Sequence, residues 1–190
     1  MILSTGINRI RTAVFISGTG SNLKSLIKYS KLKKSKIEIK LVISNYKLAK
    51  GLEIAKKNKI KTKIIFYKKN SSENKLLMLL EKNKIDLVCL AGFMKILSKK
   101  FIKKFNKPIL NIHPSLLPKH KGLNTHKKVL KNKDSFTGAT VHLVNSRLDS
   151  GKIILQRKVK VSKKDTELSL ANKVLKIEHK LYPAALDKFL

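Results

Sequence analysis

Four times before Asn106 a short run of apolar, β-branched residues gives way to a stretch with apolar residues at helical spacing, and this alternation limits the folds open to the chain. Arg11 to Ser17 (RTAVFIS) is followed by SNLKSLIKY, IEIKLVIS by LAKGLEIAKKN, TKIIFY by SENKLLMLLEKN, and IDLVCLAG by a short helix near SKKFIKKF. A strand that returns to pair in parallel with its predecessor needs a long crossover, which a helix supplies. Near-continuous apolar strands are buried on both faces. The expected fold is therefore α/β and Rossmann-like, a mostly parallel sheet with helices on both faces.

The pattern changes after Asn106. PILNIH reads as a fifth strand, and HPSLLPKHKGLNT as a long loop punctuated by Pro114, Pro118 and Gly122. Loops of that length inside compact domains are usually functional. A helix around THKKVLKN precedes two strands, GATVHLVN and KIILQRKVKV, separated only by SRLDSG. That connection is too short for a crossover helix, so antiparallel strands are expected in the C-terminal part. A last helix from Thr166 to Asp187 carries Leu168, Leu170, Ala171, Val174, Leu175 and Leu181 at mostly helical spacing, and Pro183 is expected to kink or end it. Length and the absence of a linker-like segment lead us to read residues 1–190 as a single domain.

Composition narrows the functions. No run approaches the roughly 20 apolar residues of a membrane span. The opening MILSTGINRIRTAVFISGTG lacks an apolar core followed by a small-residue cleavage site, so a cytoplasmic protein without a membrane partner is expected. The only cysteine, Cys89, lies in the apolar run IDLVCLAGF and is read as a buried thiol. The net charge of +33 raises nucleic acid as a partner. Yet only Arg9, Arg11, Arg147 and Arg157 among the 44 basic residues carry the guanidinium fork that base-edge and bidentate phosphate recognition favour. The lysines are also spread through every segment, which specifies no groove or strand, so no specific nucleic-acid partner is expected.

Three groups of residues could carry chemistry. Ser17-Gly18-Thr19-Gly20-Ser21-Asn22-Leu23 joins the first strand to the first helix, where glycines allow a tight turn and the helix-start amides favour an anion. Leu23 stands where the dinucleotide fingerprint needs its third glycine, so a mononucleotide-like phosphate suits the turn better than NAD. A purely structural turn with Ser21 as helix cap is the plain alternative. In Asn111-Ile112-His113, residues i and i+2 of a strand project to one face, at the carboxyl end where α/β sheets bind ligands. An amide donor beside an imidazolium suits oxyanion stabilisation during acyl transfer, with the histidine also able to pass a proton, although both could simply be satisfied polar groups ending a strand. His113, His120 and His126 match no standard metal spacing, and no metal is expected. Asp149, in Leu148-Asp149-Ser150-Gly151, could raise the pKa of a nearby imidazole and keep His113 protonated, or could be an ordinary turn aspartate.

Taken in order, ISGTGSNL, LAGFMKILS, NIHPSLLPKHKG, GATVHLVNSRLDSGKIILQ and EHKLYP resemble the glycinamide ribonucleotide formyltransferase family over nearly the whole chain. The resemblance implies one formyltransferase domain of de novo purine biosynthesis, with 10-formyltetrahydrofolate as co-substrate and glycinamide ribonucleotide as acceptor. It implies catalytic roles for Asn111, His113 and Asp149, with Asp149 supporting the charge on His113. It implies that Gly20, Ser21 and Asn22 hold the acceptor's phosphate and that Glu178 contacts its ribose or amine. Met94, Lys95, Ile96, Leu97, Asn111 and the Asn145 to Asp149 loop are expected to line the folate pocket, and a monomer or weak homodimer is expected.

The chain departs from the family's pattern in three places. Lys95 stands where many relatives carry arginine, Lys69 or Lys68 replaces an arginine expected on the folate carboxylate, and Asn124 occupies a place often held by histidine, leaving His126 as the nearer imidazole. Lysine keeps the charge but loses the bidentate fork. Two relatives offer rival readings. Formyltetrahydrofolate deformylase shares the Asn, His and Asp set but resembles HHSFLP where this chain has His113-Pro114-Ser115-Leu116-Leu117-Pro118, and it is expected to carry an amino-terminal regulatory domain that 190 residues cannot hold. Methionyl-tRNA formyltransferase is expected to carry a carboxy-terminal RNA-binding domain. From a different class, a basic nucleic-acid-binding module on an inactive enzyme fold would not need Asn111, His113 and Asp149 together.

Overall fold

The computed structural model describes residues 9–190, apart from the side chains of Lys69 and Asn70. In chain order the elements are β1 (Ile10–Ile16), α1 (Ser21–Ser30), β2 (Ile37–Ser44), α2 (Lys50–Lys57), β3 (Lys61–Ile64), α3 (Lys69–Lys82), β4 (Leu87–Leu90), α4 (Lys99–Phe105), β5 (Ile109–His113), α5 (Thr125–Lys131), β6 (Phe136–Leu143), β7 (Ile153–Lys160) and α6 (Glu167–Phe189). They build one sheet in the order β3-β2-β1-β4-β5-β6-β7. The pairs from β3 to β5 are parallel, and β5–β6 and β6–β7 are antiparallel; the short helix-free connection accounts for the β6–β7 pair, whereas β5–β6 is antiparallel although α5 lies between its strands.

The sheet divides the core in two. On one face Val14, Ile16, Leu110 and Ile112 pack with Leu23 and Leu26 of α1, Leu52 of α2, and Val174 and Tyr182 of α6. On the other, Phe15, Ile43, Val88 and Ile109 pack with Leu76 and Leu80 of α3 and Phe101 and Phe105 of α4. Successive side chains of a strand point to opposite faces, so where both are covered the strands are apolar, β4 throughout and β1 from Ala13 to Ile16.

Two elements differ from the sequence reading. The third strand ends at Ile64 rather than Tyr67, because it lies at the sheet edge with only β2 to pair with. The last helix runs through Pro183 without ending there. Proline has no N–H for the carbonyl four residues back, that of His179, and the hydroxyl of Ser25 on α1 donates to this carbonyl instead. The helix begins at Thr166, whose side chain and that of Ser169 form a reciprocal capping box.

Candidate active site

Ile109 of β5 packs towards α4 while Leu110 and Ile112 pack towards α6, so alternation puts Asn111 and His113 on the α4 side. The segment after β5 lies over it: the Thr140 hydroxyl donates to Ser115 O at 2.6 Å and accepts from Leu117 N–H at 3.1 Å, and the Gln156 amide donates to Leu117 O at 2.8 Å. This explains why alternate positions of β6 and β7 are polar at Thr140, His142 and Gln156.

Register places Asn111 opposite His142, and their side chains meet, Asn111 Nδ2 to His142 Nε2 at 3.2 Å. His142 Nδ1 lies 2.8 Å from Leu143 O. A carbonyl only accepts, so Nδ1 carries a hydrogen and donates to it, while Nε2 faces the Asn111 amide. The same logic fixes His113, whose Nε2 lies 2.9 Å from His120 O and must donate to it. Nδ1 of His113 then faces Asp149 Oδ2 at 3.4 Å, while Asp149 Oδ1 lies 3.6 Å from His142 Nε2. Asp149 adopts a left-handed conformation, φ +45°, in the β6–β7 connection, and its Oδ2 also accepts the Gly122 N–H at 2.8 Å. Lys121 Nζ donates to Ser150 Oγ at 2.6 Å, a second tie between the same two loops. The three residues picked from the sequence therefore converge, and His142 joins them.

Burial dominates the electrostatics. Loss of solvent pushes the His113 pKa below its ordinary value and outweighs the His120 carbonyl and the Asp149 charge, which raise it, while His142 and Lys128 lower it further. Burial thus works against the charge that Asp149 was expected to support on His113. Burial alone would raise the Asp149 carboxyl, but His142, the Gly122 amide and His113 more than offset that and hold it below the usual carboxylate value. A neutral ring with a bare nitrogen facing a carboxylate is poised to receive a proton.

The glycine turn lies at the end of β1. Gly20 has φ +75° and caps α1 without a side-chain bond, so Ser21 is the first helical residue rather than the cap. A Cβ on Gly20 would sit 2.5 Å from Gly51 Cα, and Gly51 N–H donates to Gly18 O at 3.1 Å. The turn is thus braced by the start of α2 and leaves the α1 amides facing outward. Asn22 Nδ2 donates to Glu178 Oε2 at 2.6 Å, joining α1 to α6. Burial raises the Glu178 carboxyl, and the Asn22 bond opposes that. Asn22 Oδ1 is buried without a hydrogen-bond partner among the described residues.

The segment after β4 divides. Met94 and Ile96 are 65% and 67% exposed, and Lys95 is exposed between them, whereas Leu97 is buried in the α4-side core. Ser17 Oγ accepts Met94 N–H at 2.8 Å and donates to Asn45 Oδ1, and Tyr67 donates to Ile96 O at 2.9 Å. Asn145 is exposed and accepts Arg147 N–H at 2.9 Å, a turn contact. The side chain of Lys69 lies outside the described residues. Asn124, φ +57°, is the N-cap position of α5. His126 on that helix has its pKa lowered by burial, and its Nδ1 is buried without a hydrogen-bond partner among the described residues.

His142 and Tyr67 did not stand out in the sequence. The polar alternation of Thr140 and His142 inside an otherwise apolar strand was the signal for the first. For Tyr67 no sequence signal existed, because it acts on a backbone group brought in from elsewhere. Ser17 opens the glycine turn in the sequence, but nothing there links it to the Met94 amide.

Residues 10–186 match the formyl transferase family. The chain is 47% identical over 183 residues to the human trifunctional purine biosynthetic protein adenosine-3, covering 94% of this chain but only 18% of that protein's length. It is 41% identical over 180 residues to the phosphoribosylglycinamide formyltransferase of Escherichia coli (strain K12), covering 93% of this chain and 85% of the relative. The crystal structure of phosphoribosylglycinamide formyltransferase from Brucella melitensis matches with a TM-score of 0.90 at 43% identity, covering 96% of each chain.

Proposed function

The chain belongs to the phosphoribosylglycinamide formyltransferase family, and from that premise we propose that it transfers the formyl group of 10-formyltetrahydrofolate to the amine of glycinamide ribonucleotide. The observation that carries this reading is the joining of Asn111, His113, His142 and Asp149 through contacts of 3.2 to 3.6 Å. The donor supplies an activated formyl carbon and a leaving nitrogen, N10.

Each residue has one feature left for the reaction. Asn111 commits one amide hydrogen to His142 and keeps the second for the formyl oxygen as negative charge builds there. His113 commits Nε2–H to His120, so Nδ1 is the ring atom that takes a proton. Asp149 Oδ2, 3.4 Å away, becomes an ion-pair partner when that proton arrives. The acceptor nitrogen bonds to the formyl carbon, its proton passes by way of His113 Nδ1 to N10, and the carbon–N10 bond breaks to release tetrahydrofolate and the formylated amine. Holding two substrates together can contribute about 7 to 11 kcal/mol, and one preorganised oxyanion donor about 3 to 4 kcal/mol.

Gly20, Ser21 and Asn22 hold the acceptor's phosphate at the positive end of α1, and Glu178 contacts its ribose or amine. Exposed Met94 and Ile96 offer the donor's ring system apolar surface, with backbone groups of Lys95, Leu97 and Asn145 alongside. The test is formyl release from 10-formyltetrahydrofolate with and without glycinamide ribonucleotide. Release that depends on the amine and yields formylated product is expected. Equal release in its absence would make the protein a hydrolase and overturn the reading.

A further inference from the structure

We infer that His120 and Asp134, whose side chains touch no reacting group in the proposed mechanism, are positioning residues that set the tautomer of His113. The inference rests on the reading of His113 as catalytic. One residue does two things here: the backbone carbonyl of His120 accepts His113 Nε2–H at 2.9 Å, while the His120 side chain reaches away, its Nε2 2.5 Å from Asp134 Oδ2. Both side chains are largely buried, 10% and 17% exposed.

His120 needs that tether. Its backbone is left-handed, φ +54°, a conformation that L side chains rarely adopt and that persists only where surroundings impose it. Asp134 is fixed in turn, because its N–H closes the end of α5 on Val129 O at 3.1 Å and β6 begins two residues later. Lys119 Nζ, 70% exposed and 3.6 Å from Asp134 Oδ1, adds a weaker contact. The Ser115 hydroxyl donates to Lys119 O at 2.6 Å, holding the preceding carbonyl. The line from the α5–β6 junction through Asp134 and the His120 ring to the His120 carbonyl thus ends on the catalytic imidazole.

The consequence is chemical. With the carbonyl in place the hydrogen stays on Nε2 and the bare nitrogen faces Asp149; with the carbonyl free to turn away, the hydrogen moves to Nδ1 and donates to Asp149 instead. A ring in that second form has no base to offer on the Asp149 side.

The experiment is nitrogen and carbon NMR of the His113 ring in the full chain, with steady-state kinetics, for the unmodified protein, Asp134→Ala, Asp134→Asn and His120→Gly. Asparagine keeps an oxygen for the His120 N–H, and glycine adopts positive φ without strain, so neither should unfold the loop. Asp134→Ala and His120→Gly are expected to convert His113 from the Nε2–H form to a mixture and to lower kcat about tenfold to a hundredfold, with KM for both substrates within about twofold. Asp134→Asn should restore both. An unchanged His113 tautomer in His120→Gly, whatever happens to melting temperature, overturns the inference. Full turnover by His113→Ala would instead overturn the catalytic reading beneath it.

Discussion

The two ends of the site are built from different material. At the acceptor end, next to β1, the glycine turn works through backbone amides, the bracing of Gly20 against Gly51 and one buried pair, Asn22 with Glu178. At the formyl end, on β5 and β6, every key contact involves a titratable or amide side chain, and two loops cross to complete it. The first lies between α1 and α6, and the second lies on the opposite face, under loops rather than helices. The difference follows from the tasks: a phosphate needs a fixed positive end and nothing that moves a proton, whereas acyl transfer needs groups whose charge can change during the reaction.

The sharpest way to break that division is to remove chemistry from the formyl end and see whether binding at the other end notices. His113→Ala and Asp149→Asn are each expected to lower kcat by about a hundredfold to ten-thousandfold, with KM for the acceptor changed by less than about threefold. Single-turnover formyl transfer and direct acceptor binding by calorimetry measure the two quantities separately. Near-normal kcat in either variant would remove the mechanism, and loss of acceptor binding would show that the ends are not separable.

The reciprocal change acts on folding. Gly20→Ala puts a Cβ 2.5 Å from Gly51 Cα in a backbone with φ +75°. Strain and overpacking each cost about 1 to 3 kcal/mol, so a lower urea midpoint is expected together with a raised acceptor KM, while kcat at saturation changes little. If Gly20→Ala spared stability and KM but lowered kcat, the turn would belong with the chemistry and the comparison would be wrong.

What could be read from sequence splits along the same line. The alternation of strands and helices and the antiparallel β6–β7 pair are local patterns, and local patterns are legible, whereas Gly20, Asn111, His113 and Asp149 each allow a plain structural reading locally and take a role only from the family resemblance. His142 was not legible because it matters only through the antiparallel register that sets it opposite Asn111. The partner of His113 Nε2 was hidden more deeply, since any residue can supply a carbonyl and only the left-handed turn at His120 aims this one. That the helix would not end at Pro183 was hidden for a similar reason, because the Ser25 hydroxyl that takes up the His179 carbonyl lies 154 residues before His179. The net charge on His113 depended on burial, and burial is a property of the packed fold.

The smallest expected effect is a difference in how the two ends weight stability against pH. Burial holds His113 below the ordinary value of 6.5, so just below that pH the unfolded chain binds more protons than the folded one. Stability from this group is complete above pH 6.5 and is lost as pH falls through the folded pKa. Burial raises Glu178 above its ordinary 4.5, so in the window above that pH the folded chain binds more protons, and stability falls as pH rises. The two slopes oppose each other between these values. Urea titrations from pH 4.5 to 7.5 should show a shallower rise of stability with pH in His113→Gln and a steeper one in Glu178→Gln than in the unmodified chain. His126 and His179, whose pKa values burial also lowers, supply a background rise common to all three. Slopes that stay parallel across the three proteins would mean that neither buried group changes its proton affinity on folding, and the electrostatic contrast between the two ends would fail with them.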